Sequence, residues 1–423
     1  MYSEIPTYHE RIGELTEQLR EVGHLGLALI DASELAQVEH DYGSRAFEQV
    51  LSMVSGLVGE LQGADVRTAD SLALNERGGN AFLLFLSPRR GDEEGRPRIA
   101  DLEAIRQRVD DQVNRRLSAF TSPYLRGKRK VTVGYAVVFH NPLVMAERVV
   151  ARLVNEAWES VRIQRAQADF QTRCRLQDVL LGHQVTTVFQ PIVDLQTGAV
   201  HGFEALSRGP AGTQQHSPMN LFEAAKHCEL TFELDHHCRR RALQTARDLP
   251  SPYRLFINVV PNAMYDPDLQ GASLIRLLEG VGLSPERIAL EVSEQYAIEN
   301  YPLFSEALQT FQQMGFSIAV DDIGAGYSGL EKITHLNPRY LKFDMDLVRD
   351  IDQSFVKREM ARALKTFADK MDSQIIAEGI EREGERTACV ELGLHYGQGY
   401  LLGRPAPLEN FNLGAMPPSS ARG

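Results

Sequence analysis

Short, continuous apolar runs and longer stretches with helical spacing alternate along most of this chain. Ile12, Leu15, Leu19 and Val22 recur at helical spacing, which predicts an amphipathic helix ending before Gly23. After it "LGLALID" reads as a buried strand, "RAFEQVLSMVSGLVGEL" as a helix, "NAFLLFL" as a strand, "IADLEAIRQRVDDQVNRRLSAF" as a helix and "KVTVGYAVV" as a strand. The segment "VMAERVVARLVNEAWESVRIQRAQ" is strongly helical. Alternation of this kind predicts a compact α/β domain over residues 24–167, preceded by the helix within 1–23 and followed by a linking helix over 168–183.

From Val185 onward eight strand-like runs follow: "TTVFQPIVD", "AVHGFEALSR", "RLFINVV", "IALEVSE", "FSIAVDD", "YLKFDMD", "SQIIAEGIE" and "GQGYLLG". Eight strands with intervening helices in this length predict a (β/α)8-type barrel over 184–410, whose site forms where strands end and loops begin. Residues 411–423, rich in Pro and Ser, are expected to fray.

Composition narrows the function classes. The 423 residues leave room for two full cores. A net charge of -12 argues against a nucleic-acid or anionic-membrane surface binder. The cysteines Cys174, Cys228, Cys238 and Cys389 lack metal-site or disulfide spacing and are expected to be reduced cytosolic thiols. No apolar run approaches the roughly 20 residues that a membrane span needs, so a cytoplasmic protein is expected. The basic runs "RGKRK" (126–130) and "RRR" (239–241) read as solvated surface.

The candidate chemistry lies at strand ends. In "FSIAVDDIGAGYSGL" the adjacent Asp321 and Asp322 point to opposite faces of a strand, so one is aimed where an unpaired carboxylate is costly. Glu204, Asn258, Glu291, Asp344 and Glu378 also fall late in their runs. Singly, each could be a capped strand end or a surface salt bridge. Jointly, at the mouth of a closed barrel, they would repel one another without a cation, and an all-oxygen set suits Mg2+ or Mn2+ rather than zinc.

The blocks "FQPIVD", "EALSR", "INVVP", "LEVSE", "DDIGAGYSGL", "LKFD", "AEGIE" and "QGYLLGRP" arrive in an order and spacing that resembles the EAL family of cyclic di-GMP phosphodiesterases. The resemblance implies that Glu204, Asn258, Glu291 and Asp321 hold one metal and that Asp321, Asp322 and Glu378 hold a second. It implies that Lys342 orients the attacking water or neutralises charge at phosphorus, with Asp344 positioning it. Glu294 would anchor the glycine-rich loop, and Glu381 would lie beside the cluster. Cyclic di-GMP would be held by Gln190, Leu206, Arg208 and Gln398. Ile323, Ala325 and Val260 depart from the family pattern without removing a ligand.

The first half, through "LALID", "DYGSRAFEQVL", "RGGNAF" and "VTVGYAV", resembles the GGDEF family of diguanylate cyclases. Its signature has become Gly78-Gly79-Asn80-Ala81-Phe82, which removes metal-binding charge. Asp31 is retained, whereas Glu39 and Glu48 stand at the guanine positions, and "RTAD" (67–70) lies too far from Gly78 to match the family's inhibitory motif. The resemblances together imply a cyclase-like α/β domain followed by a modified, TIM-like (β/α)8 barrel that hydrolyses cyclic di-GMP to linear pGpG. They also imply a homodimer, a regulatory or dimerising role for the first domain, and a signalling partner protein. GTP binding by the first domain, and a non-hydrolysing receptor role for the whole, remain the open alternatives.

Overall fold

The computed structural model describes residues 2–60, 70–86, 99–121, 130–293, 301–324, 330–411 and 413. It divides into two compact units, Met1–Thr172 and Arg173–Gly423.

The first unit is built on β1 (His24–Asp31), β2 (Ser71–Leu74), β3 (Ala81–Leu86) and β4 (Thr132–Phe139), in the sheet order β2-β3-β1-β4. Every pairing is antiparallel, with Leu29 opposite Leu83 and Leu27 opposite Ala136. With helices Ser44–Glu60 and Ile99–Arg108 between strands, the order is that of a ferredoxin-like βαββαβ sheet. β1 is buried along its whole length because both faces are covered. Ala28, Ile30, Phe82 and Leu84 meet Val50, Val54 and Leu102 on one side. Leu25, Leu27, Leu29 and Phe85 meet Leu15, Leu19, Val150 and Leu153 on the other. Gly134 permits the second packing, since a Cβ there would lie 2.3 Å from the Ala157 carbonyl oxygen. The expected linking segment is not a separate helix: Ala146–Leu181 is continuous.

In the second unit β5 (Thr186–Asp194), β6 (Val200–Arg208), β7 (Arg254–Asn258), β8 (Ile288–Ser293), β9 (Ser317–Ile323), β10 (Tyr340–Phe343), β11 (Gln374–Ala377) and β12 (Tyr396–Gly397) close into a barrel. β5 runs antiparallel to both neighbours, and the other adjacent strands are parallel. A tight turn after Asp194, closed by Gly198 N donating to the Asp194 carbonyl, makes β5 and β6 a hairpin where a crossover helix would otherwise be needed.

The barrel interior is layered. Ile192, Phe256, Ala289, Ala319, Tyr340, Ile376 and Tyr396 pack together as an apolar floor. Two residues further toward the mouth, the same faces carry Gln190, Asn258, Glu291, Asp321, Lys342, Glu378 and Gln398. Because β5 is reversed, Gln190 reaches this layer by preceding Ile192. The period-two rule thus turns a one-step change from apolar to polar into a ring, to which β6 adds Glu204.

Candidate active site

Lys342 stands at the centre of the ring. Its side chain is 1% exposed, and Nζ lies 2.7 Å from Glu378 Oε1, 2.9 Å from Glu291 Oε1, 3.3 Å from Asp321 Oδ1 and 3.6 Å from Glu204 Oε2. Asn258 Nδ2 donates to Glu204 Oε1 at 2.9 Å, and Gln398 Nε2 donates to Glu204 Oε2 at 2.6 Å and to Gln190 Oε1 at 3.1 Å. Gln190 Nε2 in turn donates to the Gly403 carbonyl at 3.1 Å. Strand ends far apart in sequence therefore meet around one ammonium.

The charges do not balance, and the acids show it. Burial opposes the Lys342 charge, but Asp321, Glu204, Glu291 and Glu378 outweigh it and hold the ammonium well above the usual lysine range. Burial also works against ionised Glu204, yet Lys342 and the hydrogen bonds from Gln398 and Asn258 keep its carboxyl low. Burial, with Glu204 adding, pushes Glu291 well up. Burial, opposed by Lys342 and reinforced by Asp321 and Glu204, pushes Glu378 to about 8. Four clustered acids around one ammonium carry surplus negative charge.

A cavity of about 510 Å³ opens beside this cluster. Glu291, Asp321, Asp322 and Asn258 line its acidic end, and Leu206, Phe222 and Ile257 are among the apolar walls. A family model described as EAL domain matches residues 173–405, more than half of the chain. This chain belongs to the EAL domain family.

Its relatives agree with that assignment. Cyclic di-GMP phosphodiesterase NbdA of Pseudomonas aeruginosa is 31% identical over 249 residues, which are 58% of this chain and 32% of that protein. An uncharacterized protein of Synechocystis is 26% identical over 405 residues, 90% of this chain and 55% of its own length. The chain thus spans about a third to about half of the length of these curated relatives. Among solved structures, the PaMucR phosphodiesterase in complex with c-di-GMP matches with a TM-score of 0.52 and 25% identity, over 57% of this chain and 99% of that one. The Xanthomonas citri FimX EAL domain in complex with c-diGMP shares the fold, with a TM-score of 0.54 and 20% identity, over 59% of this chain and 99% of that one.

Within the EAL unit the remaining expected site residues separate. Asp322 is exposed at the cavity rim in the left-handed region, φ 62°, and its amide donates to Asp321 Oδ1. Arg208 is partly buried, and its NH1 donates to the Ser207 carbonyl at 2.9 Å. Asp344 is not among the carboxylates within 4 Å of Lys342. Its Oδ1 instead accepts from Asp346 N, capping the short helix Met345–Val348. Glu381 is exposed, and its amide donates to Glu385 Oε2 at 3.0 Å. Glu294 and most of the glycine-rich loop lie outside the described residues.

Two residues on the helix Thr231–Thr245 were not expected in this setting. Arg239, read from "RRR" as solvated surface, is buried; its Nε donates to Asp235 Oδ2 and its NH2 to Asp266 Oδ2. Both Arg239 and Asp235 line the cavity. The spacing from Asp235 to Arg239 was a usable signal, since it places both on one helical face. Of "RGKRK", only Lys130 is described, and it is exposed. Another acidic grouping, Asp350, Asp352 and Glu385, already encloses a cation: Arg382 NH2 lies 2.8, 2.9 and 2.9 Å from them.

A divalent ion suits the donor set of the Lys342 cluster. Both Glu291 oxygens are buried, and the charged group beside them is Lys342, 2.9 Å from Oε1. All the side-chain donors are oxygens apart from the ammonium, a hard-cation set. Added positive charge would also reverse the upward shifts of Glu291 and Glu378.

Proposed function

We propose that this chain is a phosphodiesterase that hydrolyses cyclic di-GMP to linear pGpG with Mg2+ or Mn2+. The observation that supports this best is the ring of Glu204, Asn258, Glu291, Asp321 and Glu378 about Lys342, beside a cavity with an acidic end and apolar walls. In this reading Glu204, Asn258, Glu291 and Asp321 hold one ion, while Asp321, Asp322 and Glu378 hold another. Bound there, the ions supply Lewis acidity and a water of lowered pKa.

The chain's own groups do the remaining work. Lys342 presents an ammonium that can hold the attacking water or a phosphoryl oxygen as charge develops. The water oxygen bonds to phosphorus as the P–O3′ bond breaks; a carboxylate of the ring takes the water's proton, and that proton is returned to the departing 3′-oxygen. Gln398 keeps a buried Oε1 that accepts no hydrogen bond among the described residues, an acceptor suited to a ligand N–H. Leu206 and Arg208 complete the proposed contacts.

The first unit is proposed to be non-catalytic and regulatory, in a cytoplasmic homodimer. Asp31, the retained metal-ligand position, is 0% exposed and already has a cation: Arg165 NH2 lies 2.7 Å from Oδ2. Ser33 N donates to Oδ1 at 2.9 Å. Incubation of the full chain with cyclic di-GMP and Mn2+ should yield pGpG on chromatography, and chelator should stop it. Tight binding without pGpG would replace this reading with a receptor.

A further inference from the structure

Asp235 and Arg239 form a buried ion pair outside the Lys342 cluster, with Arg239 Nε 2.5 Å from Asp235 Oδ2. Arg239 NH2 also reaches Asp266 Oδ2 at 2.8 Å, and the same oxygen lies 2.7 Å from His236 Nδ1. Asp266 Oδ1 accepts from Asp268 N, so each end of that carboxylate is used. Buried charges of this kind carry a desolvation cost that a packed apolar pair would avoid. The remaining Asp235 oxygen shows what the arrangement does. Oδ1 accepts from Val260 N at 3.2 Å, just past Asn258. Between them Val259 N donates to the Glu291 carbonyl at 2.9 Å. The two residues after β7 are therefore held from the helix on one side and from β8 on the other, with the Asn258 side chain directed to Glu204.

We infer that Asp235, held by Arg239, which Asp266 anchors in turn, is a positioning residue that fixes the backbone behind Asn258 and so sets the affinity of the acidic cluster for a divalent cation. This rests on the metal reading proposed above. Asn258 is exposed at the mouth and ends its strand, where its register partner is Glu291 of β8 and β6 offers none, so the backbone just beyond it depends on the bonds at Val259 and Val260. A ligand's supporting hydrogen bonds commonly change metal affinity by about 10–100-fold when removed.

The test is direct Mn2+ titration of the full chain by calorimetry, without substrate, for wild type, Asp235→Ala, Asp235→Asn and Arg239→Met. Asp235→Ala is expected to weaken Mn2+ binding by about 10-fold or more, whereas Asp235→Asn, which keeps an acceptor for Val260 N, stays within about threefold of wild type. Arg239→Met, which frees Asp235 to turn away, should fall between them and decides the matter if Asp235→Ala does not fold. Equal Mn2+ affinity in wild type and in folded Asp235→Ala or Arg239→Met overturns the inference. A wild-type chain that binds no Mn2+ overturns the metal reading itself.

Discussion

Among the described residues Lys342 is the cation at the centre of the acidic cluster, and its replacement tests both chemistry and stability. Lys342→Met should lower cyclic di-GMP turnover by about 100-fold or more, with a smaller change in ligand affinity, if the ammonium acts on developing charge. Without metal the same variant leaves the acids facing one another, and removal of one partner from a buried pair costs about 3 kcal/mol. Its melting temperature should therefore drop in chelator and recover with Mn2+ more than that of wild type. Equal melting temperatures in chelator would mean that the acids neutralise themselves. Glu204→Ala, which removes the acceptor shared by Asn258, Gln398 and Lys342, should abolish turnover while circular dichroism stays native. Near wild-type hydrolysis by that variant would sink the assignment.

Strands and loops explain why those residues converge. Gly379 follows Glu378 with φ 70°, and a Cβ there would lie 2.6 Å from Met345 Cβ. Gly379→Ala should cost about 1–3 kcal/mol and displace Glu378, so urea midpoint and turnover should fall together; retention of both would show a loop that adapts. At the other end of the barrel, the β5–β6 register shifts between Ile192 and Val193, and the extra residue, His201, turns inward. It stacks on Tyr396 with ring centroids 4.1 Å apart, and its Nε2 is 2.9 Å from the Tyr340 hydroxyl. Burial, then Arg254 and Arg339, against a smaller opposing pull from Asp194, depress its pKa to about 3. Folded His201 therefore stays neutral while the unfolded chain takes up a proton below its ordinary 6.5. Its contribution is present above that pH and is lost as pH falls toward 3, by about 1.4 kcal/mol per pH unit. His201→Gln should flatten the decline in urea-unfolding stability between pH 6.5 and 5 relative to wild type. Parallel profiles would place the proton elsewhere.

At the scale of the molecule, a few groups of the first unit's βαββαβ fold support the non-catalytic role proposed for it. Asp31 is engaged by Arg165, and Asn80 and Ala81 replace acids of the resembled signature. The full chain should make no cyclic di-GMP from GTP with Mg2+, and Asn80→Asp with Ala81→Glu should not restore it, because Glu39, Glu48 and Arg165 remain. Product from the restored variant, seen by mass spectrometry, would show that only the signature was missing. No helix among the described residues is long and apolar enough to cross a membrane.

Local pattern alone carried much of this. The apolar runs marked every barrel strand, and the change from apolar to acidic residues late in those runs located Glu204, Glu291, Asp321 and Glu378, because side-chain direction in a strand depends only on parity. The helix Ile12–Val22 was equally plain from its spacing. What the sequence could not settle depends on partners distant along the chain. β2, four residues long, was missed because so short a run has little period to read. The reversal of β5 follows from how the barrel closes, and the inward turn of His201 from a register shift that only its neighbour on β5 defines. Arg239 looked like surface because its partner Asp266 lies 27 residues away, and the bond from Asp346 N to Asp344 exists only once the helix it caps is in place. Periodicity is written locally; the burial of a charge is decided by whatever the fold brings against it.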